Sequence, residues 1–140
     1  MTYSSDSVEG VVRQWFEEVW NKKRVEAIDE LLAPDCKAHG LIPGGGVLIG
    51  PDGFKESHRV FANAFPDLQI TLDEVLISGD LAATRFTVTG THLGDTLGVA
   101  PTSRPVEFMG MTMARIRDGK IVEGWNVVDF LEMQRQIAAD

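Results

Sequence analysis

Asp129 stands two residues beyond Val127 and four beyond Trp125, so an extended chain sets its carboxyl on one face with an isopropyl group and an indole. A carboxylate walled by apolar groups holds its proton more tightly than it does in water, because burial penalises the charged form. Such a group can take a proton from the carbon beside a carbonyl and later return it. We expect Asp129 to be that acid and base. At this point an alternative stays open: Asp129 caps a helix that begins at Phe130-Leu131-Glu132-Met133, since Asp just before such a run is a common N-cap.

Enolate chemistry also requires a donor at the developing negative oxygen. His92 and His39 are the candidates. His92 is in phase with Phe86, Val88 and Gly90, an apolar set expected to face a cavity, or it is a strand-end histidine bonded to the backbone of the 94–104 loop. His39 follows a helix and a Pro-Asp turn, at a pocket mouth or on the surface. His58 shares a stripe with Phe54, Phe61 and Phe65 and reads as a structural histidine of the core. The three histidines lie on separate elements without HxH or HExxH spacing, so no metal is expected. Glu123 shares a strand phase with Asp129 but lies about 20 Å away at strand rise. That distance excludes a carboxylate dyad, and Glu123 is expected to pair with an arginine such as Arg115 or Arg85, with solvated arginines as the alternative.

The expected substrate-binding wall draws on Trp15, Phe16, Phe61, Phe65 and Trp125, with Met111 from a strand that carries methionine at 109, 111 and 113. Methionine at every second position gives an adaptable lining suited to a flat hydrophobic molecule. Ordinary core packing is the alternative for each member.

These residues need elements to position them. Val8, Val11, Val12, Trp15, Phe16, Val19 and Trp20 recur every three or four residues, the stripe of an amphipathic helix. Val25, Ile28, Leu31 and Leu32 repeat the pattern over 24–32, and Pro34 forbids its continuation. Pro43-Gly44-Gly45-Gly46 lacks the ending of a phosphate cradle and reads as a turn. A third helix starts near Pro51-Asp52-Gly53, capped by Asp52, and stops before Pro66. The period then becomes two, and the runs 68–78, 81–93, 105–117 and 120–130 predict four long strands. Ser78-Gly79-Asp80 and Asp118-Gly119 are hairpin turns, which make the strands they join antiparallel. Three helices packed in a curved antiparallel sheet of at least four strands define an α+β, cone-shaped barrel with a pocket inside. Three helices cover one face of such a sheet, so the other is expected to meet a second copy in a homodimer or higher assembly.

A length of 140 residues with 44% hydrophobic content suits one domain over 1–140. A formal net charge of −8, without a basic cluster, makes nucleic acid an unexpected partner. No apolar stretch is long enough to span a membrane and no signal peptide is recognised at the start, so no membrane partner and a cytoplasmic location are expected. Cys36 has no second cysteine for a disulfide and reads as a small buried hydrophobe.

A family likeness is carried by Val12-Arg13-Gln14-Trp15-Phe16, Leu32-Ala33-Pro34-Asp35 followed by His39, Ala64-Phe65-Pro66-Asp67-Leu68, Thr89-Gly90-Thr91-His92-Leu93-Gly94, and Asp118-Gly119-Lys120-Ile121-Val122-Glu123-Gly124-Trp125 with Asp129 four residues on. In this order they resemble SnoaL-like polyketide cyclases and ester cyclases, of the nuclear transport factor 2-like superfamily, from about Val8 to Met133. The resemblance implies a cyclase or isomerase that performs an intramolecular aldol condensation on a small hydrophobic carbonyl compound, with no metal or organic cofactor. It also implies that the aspartate following the Trp of the last strand is the acid/base, a position that Asp129 matches. Those cyclases carry a histidine on the preceding strand, whereas Pro105 to Arg117 contains none. The superfamily also hosts hydrolases, hydroxylases and proteins without chemistry. An epoxide hydrolase, a cofactor-free hydroxylase or a non-catalytic small-ligand-binding protein are therefore the alternatives.

Overall fold

The structure, a computed structural model, describes residues 7–42 and 45–138. The Ser7 side chain accepts the Gly10 N–H at 2.9 Å and starts α1 (Val8–Gln14). The predicted α-helix through Trp20 does not continue as one. Trp15–Asn21 is a π-helix, closed by bonds such as Lys22 N–H to the Glu17 carbonyl at 2.8 Å. A turn closed over five residues brings Trp15 and Trp20 to one side, and both rings meet Phe54, with centroids 4.8 and 5.9 Å apart.

α2 (Glu26–Leu31) is shorter than predicted, because Leu32 already belongs to a strand, β1 (Leu32–His39), that passes through Pro34. Neither β1 nor the short β2 (Val47–Ile49) was expected. In the glycine loop between them Gly45 and Gly46 have positive φ, as a turn requires, while Pro43 and Gly44 lie outside the described residues. α3 (Gly50–Ala64) begins three residues earlier than a cap at Asp52 predicts. Asp52 therefore sits inside the first turn, and Ile49, without a side-chain bond, holds the cap position.

The four predicted strands are β3 (Gln69–Ser78), β4 (Leu81–Thr91), β5 (Pro105–Arg117) and β6 (Lys120–Val128), followed by α4 (Phe130–Ala138). Asp118 and Gly119 both have positive φ, the signature of the tight hairpin read from that dipeptide. The sheet runs β2-β1-β6-β5-β4-β3 and does not close on itself. Every neighbouring pair is antiparallel except β1 with β6, which is parallel, so the sheet is mixed. The architecture is the expected α+β type, with two additional strands and a fourth helix.

The core lies between the first helices and the inner face of the sheet, where Val11, Val12, Val19 and Ile28 are buried with Phe86, Ala114 and Ile121. Cys36 is among them. Burial, with the charges of Asp35 and Glu123 nearby, pushes its thiol up to about 11, which keeps it a protonated and unreactive hydrophobe. Among the described residues no helix is long and apolar enough to cross a membrane.

Candidate active site

Two alternations decide what the sheet presents to its interior. Along β5 the buried phase is Val106, Phe108, Gly110, Ala114 and Ile116, with the half-buried Thr112 in line, while Met109, Met111 and Met113 are exposed. Along β6 the inward phase is Gly124, Asn126 and Val128. The bulge sets this phase: Ile116 pairs with Ile121 but Arg115 pairs with Glu123, so Val122 is an extra residue and every side chain beyond it changes face.

The cavity enclosed has aromatic walls. Trp15, Phe16 and Trp20 come from the first helices, Phe54 and Phe61 from α3, and Phe86 and Phe108 from the sheet. Leu41, Val128 and Phe130 complete the apolar lining together with Leu68, Ile70 and Val88, and Phe130 stacks on Phe61 at 5.4 Å. Its polar groups are Ser57, Thr112 and Asn126. An adjoining cavity shares Trp15, Phe16, Phe54, Thr112 and Asn126, and adds Thr84 between Ala82 and Ala114. Among the described residues, no titratable side chain lines either space.

Asn126 is held firmly. Its Oδ1 accepts the Thr112 hydroxyl at 2.9 Å, and its Nδ2 donates to the His39 carbonyl at 2.8 Å. Gly40 makes this approach feasible, since at its φ of +85° any side chain would run into the Asn126 carbonyl. The amide retains one free N–H and the Thr112 oxygen its lone pairs, so the pair can hold a carbonyl or hydroxyl group of a ligand.

Of the residues expected from the sequence, Trp15, Phe16 and Phe61 line the cavity, and the others stand elsewhere. Trp125 and Met111 face outward, because the inward phases of β5 and β6 are the alternate ones. Phe65 is fully buried beneath the wall, against His92, with ring centroids 5.9 Å apart. Asp129 is not beside an indole in a pocket: it is exposed, its Oδ1 accepts the Glu132 N–H at 3.1 Å, and its carbonyl accepts the Met133 N–H at 3.2 Å. It occupies the N-cap of α4, the alternative that its position before Phe130 left open.

His92 is 0% exposed and outside the cavity lining. Its Nδ1 lies 3.0 Å from the Thr102 hydroxyl and accepts the Thr102 N–H at 3.3 Å, which ties the 94–104 loop to the end of β4. His39 is on the outer side as well, with Nε2 2.7 Å from Glu123 Oε2 and its ring stacked on Trp125 at 5.7 Å. Glu123 thus takes a histidine, not an arginine. Arg115 pairs with Asp80, and Arg85 with Asp73 and Glu74. His58 is the structural histidine expected: it is buried and its Nε2–H donates to the Val19 carbonyl at 2.8 Å. The three proposed catalytic side chains therefore share no cavity.

Thr84, Thr112 and Asn126 were not anticipated. One signal for them existed in the sequence: Gly110 in the middle of a strand marks a close approach, and it has the phase of Thr112. In the fold a Cβ there would lie 2.5 Å from the Phe86 ring.

A family model described as SnoaL-like polyketide cyclase matches residues 10–137. No match is found among curated proteins. Among solved structures, IdmH of Streptomyces antibioticus, a proposed polyketide cyclase, is 31% identical with a TM-score of 0.82, over 95% of this chain and 99% of that one. TsrD of Streptomyces laurentii is 25% identical over 99% of this chain and 100% of its own, with a TM-score of 0.82. AclR of Streptomyces galilaeus, a proposed hydroxylase, is 27% identical over 96% of this chain and 82% of its own, with a TM-score of 0.81.

Proposed function

We propose, for a chain that belongs to the SnoaL-like polyketide cyclase family, that the cavity binds a small hydrophobic carbonyl compound and promotes its ring closure by confinement. The observation that carries this reading is the lining itself: aromatic walls, one fixed Thr112–Asn126 pair, and no acid or base among the described lining residues. Holding two reacting carbons of one flexible molecule together removes internal rotational freedom, which requires shape. As the C–C bond forms, the enol O–H of the substrate's own β-dicarbonyl unit breaks and its proton passes to the oxygen of the attacked carbonyl, so that no side chain has to take it. Asn126 and Thr112 supply the hydrogen bonds that polarise and orient the carbonyl. Asp129, placed as a helix cap, has no part in this scheme.

The test is a set of linear aryl polyketones with product followed by chromatography. Asn126→Leu is expected to lower turnover by about 100-fold or more, the usual cost of losing a preorganised donor, while Asp129→Asn stays within about twofold because Asn caps helices as well as Asp does. Loss of turnover in Asp129→Asn with activity kept in Asn126→Leu would restore the acid/base reading.

The same uncharged lining favours a second reading, a carrier that returns its ligand unaltered. Likeness to AclR, a proposed hydroxylase, adds a product to look for, one that gains an atom from isotopically labelled dioxygen when the assay also supplies a two-electron reductant that converts the second oxygen atom to water. Recovery of the unaltered compound marks the carrier, and a labelled hydroxyl marks the hydroxylase. The homodimer expected from the sequence is part of the proposal. Its surface is the outer face of the sheet, where Met109, Met111, Met113 and Val127 are exposed together.

A further inference from the structure

Thr84, Thr112 and Asn126 form one row across the inner face of the sheet. Thr84 is the register partner of Thr112 on the neighbouring strand, and Thr112 is the partner of Asn126 on the next. Thr112 and Asn126 satisfy each other, but Thr84 does not join them. The residue is only 5% exposed, and its hydroxyl has no hydrogen-bond partner among the described residues. A buried hydroxyl left unpaired is destabilising, and Val would fill the same shape without that penalty. Ala82 and Ala114, the small residues that share its cavity, keep side chains out of the space in front of it.

Given the reading that the cavity holds a hydrophobic ligand, we infer that the Thr84 hydroxyl is a specificity site for an uncharged oxygen of that ligand, a ketone or hydroxyl carried on a flat hydrocarbon frame. The ligand lies with this oxygen against the threonine row and its hydrocarbon between Trp15, Phe16 and Phe54. A carboxylate is excluded, because no cation lines this space among the described residues and an unpaired buried charge is far costlier than an unpaired hydroxyl. A pure hydrocarbon is disfavoured, because it leaves Thr84 without an acceptor.

Three probes of similar size separate these cases: 2-acetylnaphthalene, 2-isopropylnaphthalene and 2-naphthoate. Binding is followed through the NMR signals of the Trp15 and Trp20 indoles and the Asn126 side-chain amide. The wild type is expected to bind the ketone at least about tenfold tighter than either other probe, as one buried hydrogen bond allows. Thr84→Val is expected to bring the ketone within about threefold of the hydrocarbon without weakening the hydrocarbon, with an equal or higher Tm. Thr84→Ser is expected to keep the ketone preference. An unchanged preference in Thr84→Val, or naphthoate as the tightest probe, overturns the inference. A hydrocarbon that binds the wild type as tightly as the ketone overturns it too, while leaving the hydrophobic-ligand reading in place. If none of the three probes moves these signals, the ligand reading itself fails and takes the inference with it.

Discussion

At the scale of single residues, two ionisable groups, His58 on the α3 stripe and Asp129 just beyond the end of β6, have roles in folding. His58 keeps an uncharged ring because burial pushes its proton affinity down from the usual 6.5, against the opposing pull of its bond to the Val19 carbonyl. The unfolded chain then binds a proton that the folded one refuses, so stability is full above about pH 6.5 and declines as pH falls below it. His58→Gln preserves an N–H donor but cannot titrate. Urea titrations between about pH 7 and about pH 5 should show a clear loss of stability in the wild type and a flatter dependence in this variant. An equal slope in both would remove His58 as the cause. Asp129, the other group, is exposed and acts through an oxygen that accepts the Glu132 N–H and holds the first turn of α4.

At the scale of elements, the strand lengths and the hairpins were legible because period-two alternation and Asp118-Gly119 are local signals. Which phase faces inward was not. A single extra residue, Val122, reverses the face of Glu123, Trp125 and Val127, and nothing in its own neighbourhood announces the bulge. β1 was hidden for a similar reason: Leu32 ends one pattern and begins another, and Pro34 suggests a loop until β6 is present to pair with the strand. The aromatic wall from Trp15, Phe16 and Phe61 was legible because helical stripes point to a core whatever the sheet does. The polar row was not, since Thr and Asn within strands carry no periodic mark. Contact between β4 and β5 gives this scale its prediction. Gly110→Ala puts a methyl group against the Phe86 ring and should cost about 1–3 kcal/mol, with much of the loss recovered in the double variant with Phe86→Leu. Additive losses in urea denaturation would mean that the two side chains do not compete for this space.

At the scale of the whole molecule, the sheet has one face under helices and one face open. The open face carries a methionine row rimmed by Arg85 with Asp73 and Glu74 on one side and by the His39–Glu123 pair on the other. Such a surface can meet its own copy about a two-fold axis. Sedimentation at micromolar concentration is expected to give a dimer, and Val127→Asp, at a residue 77% exposed in the single chain, a monomer. A wild type that sediments as a monomer would remove this interface.

The parallel pairing of β1 with β6 has a consequence for synthesis. β1 pairs with the nearby β2 on one edge, but its other edge finds a partner only in β6, as in the match of Lys37 with Glu123. A nascent chain leaving the ribosome therefore holds β1 and the early helices against an incomplete sheet until about eighty further residues have been made, and it can close the fold only once the β5–β6 hairpin has emerged.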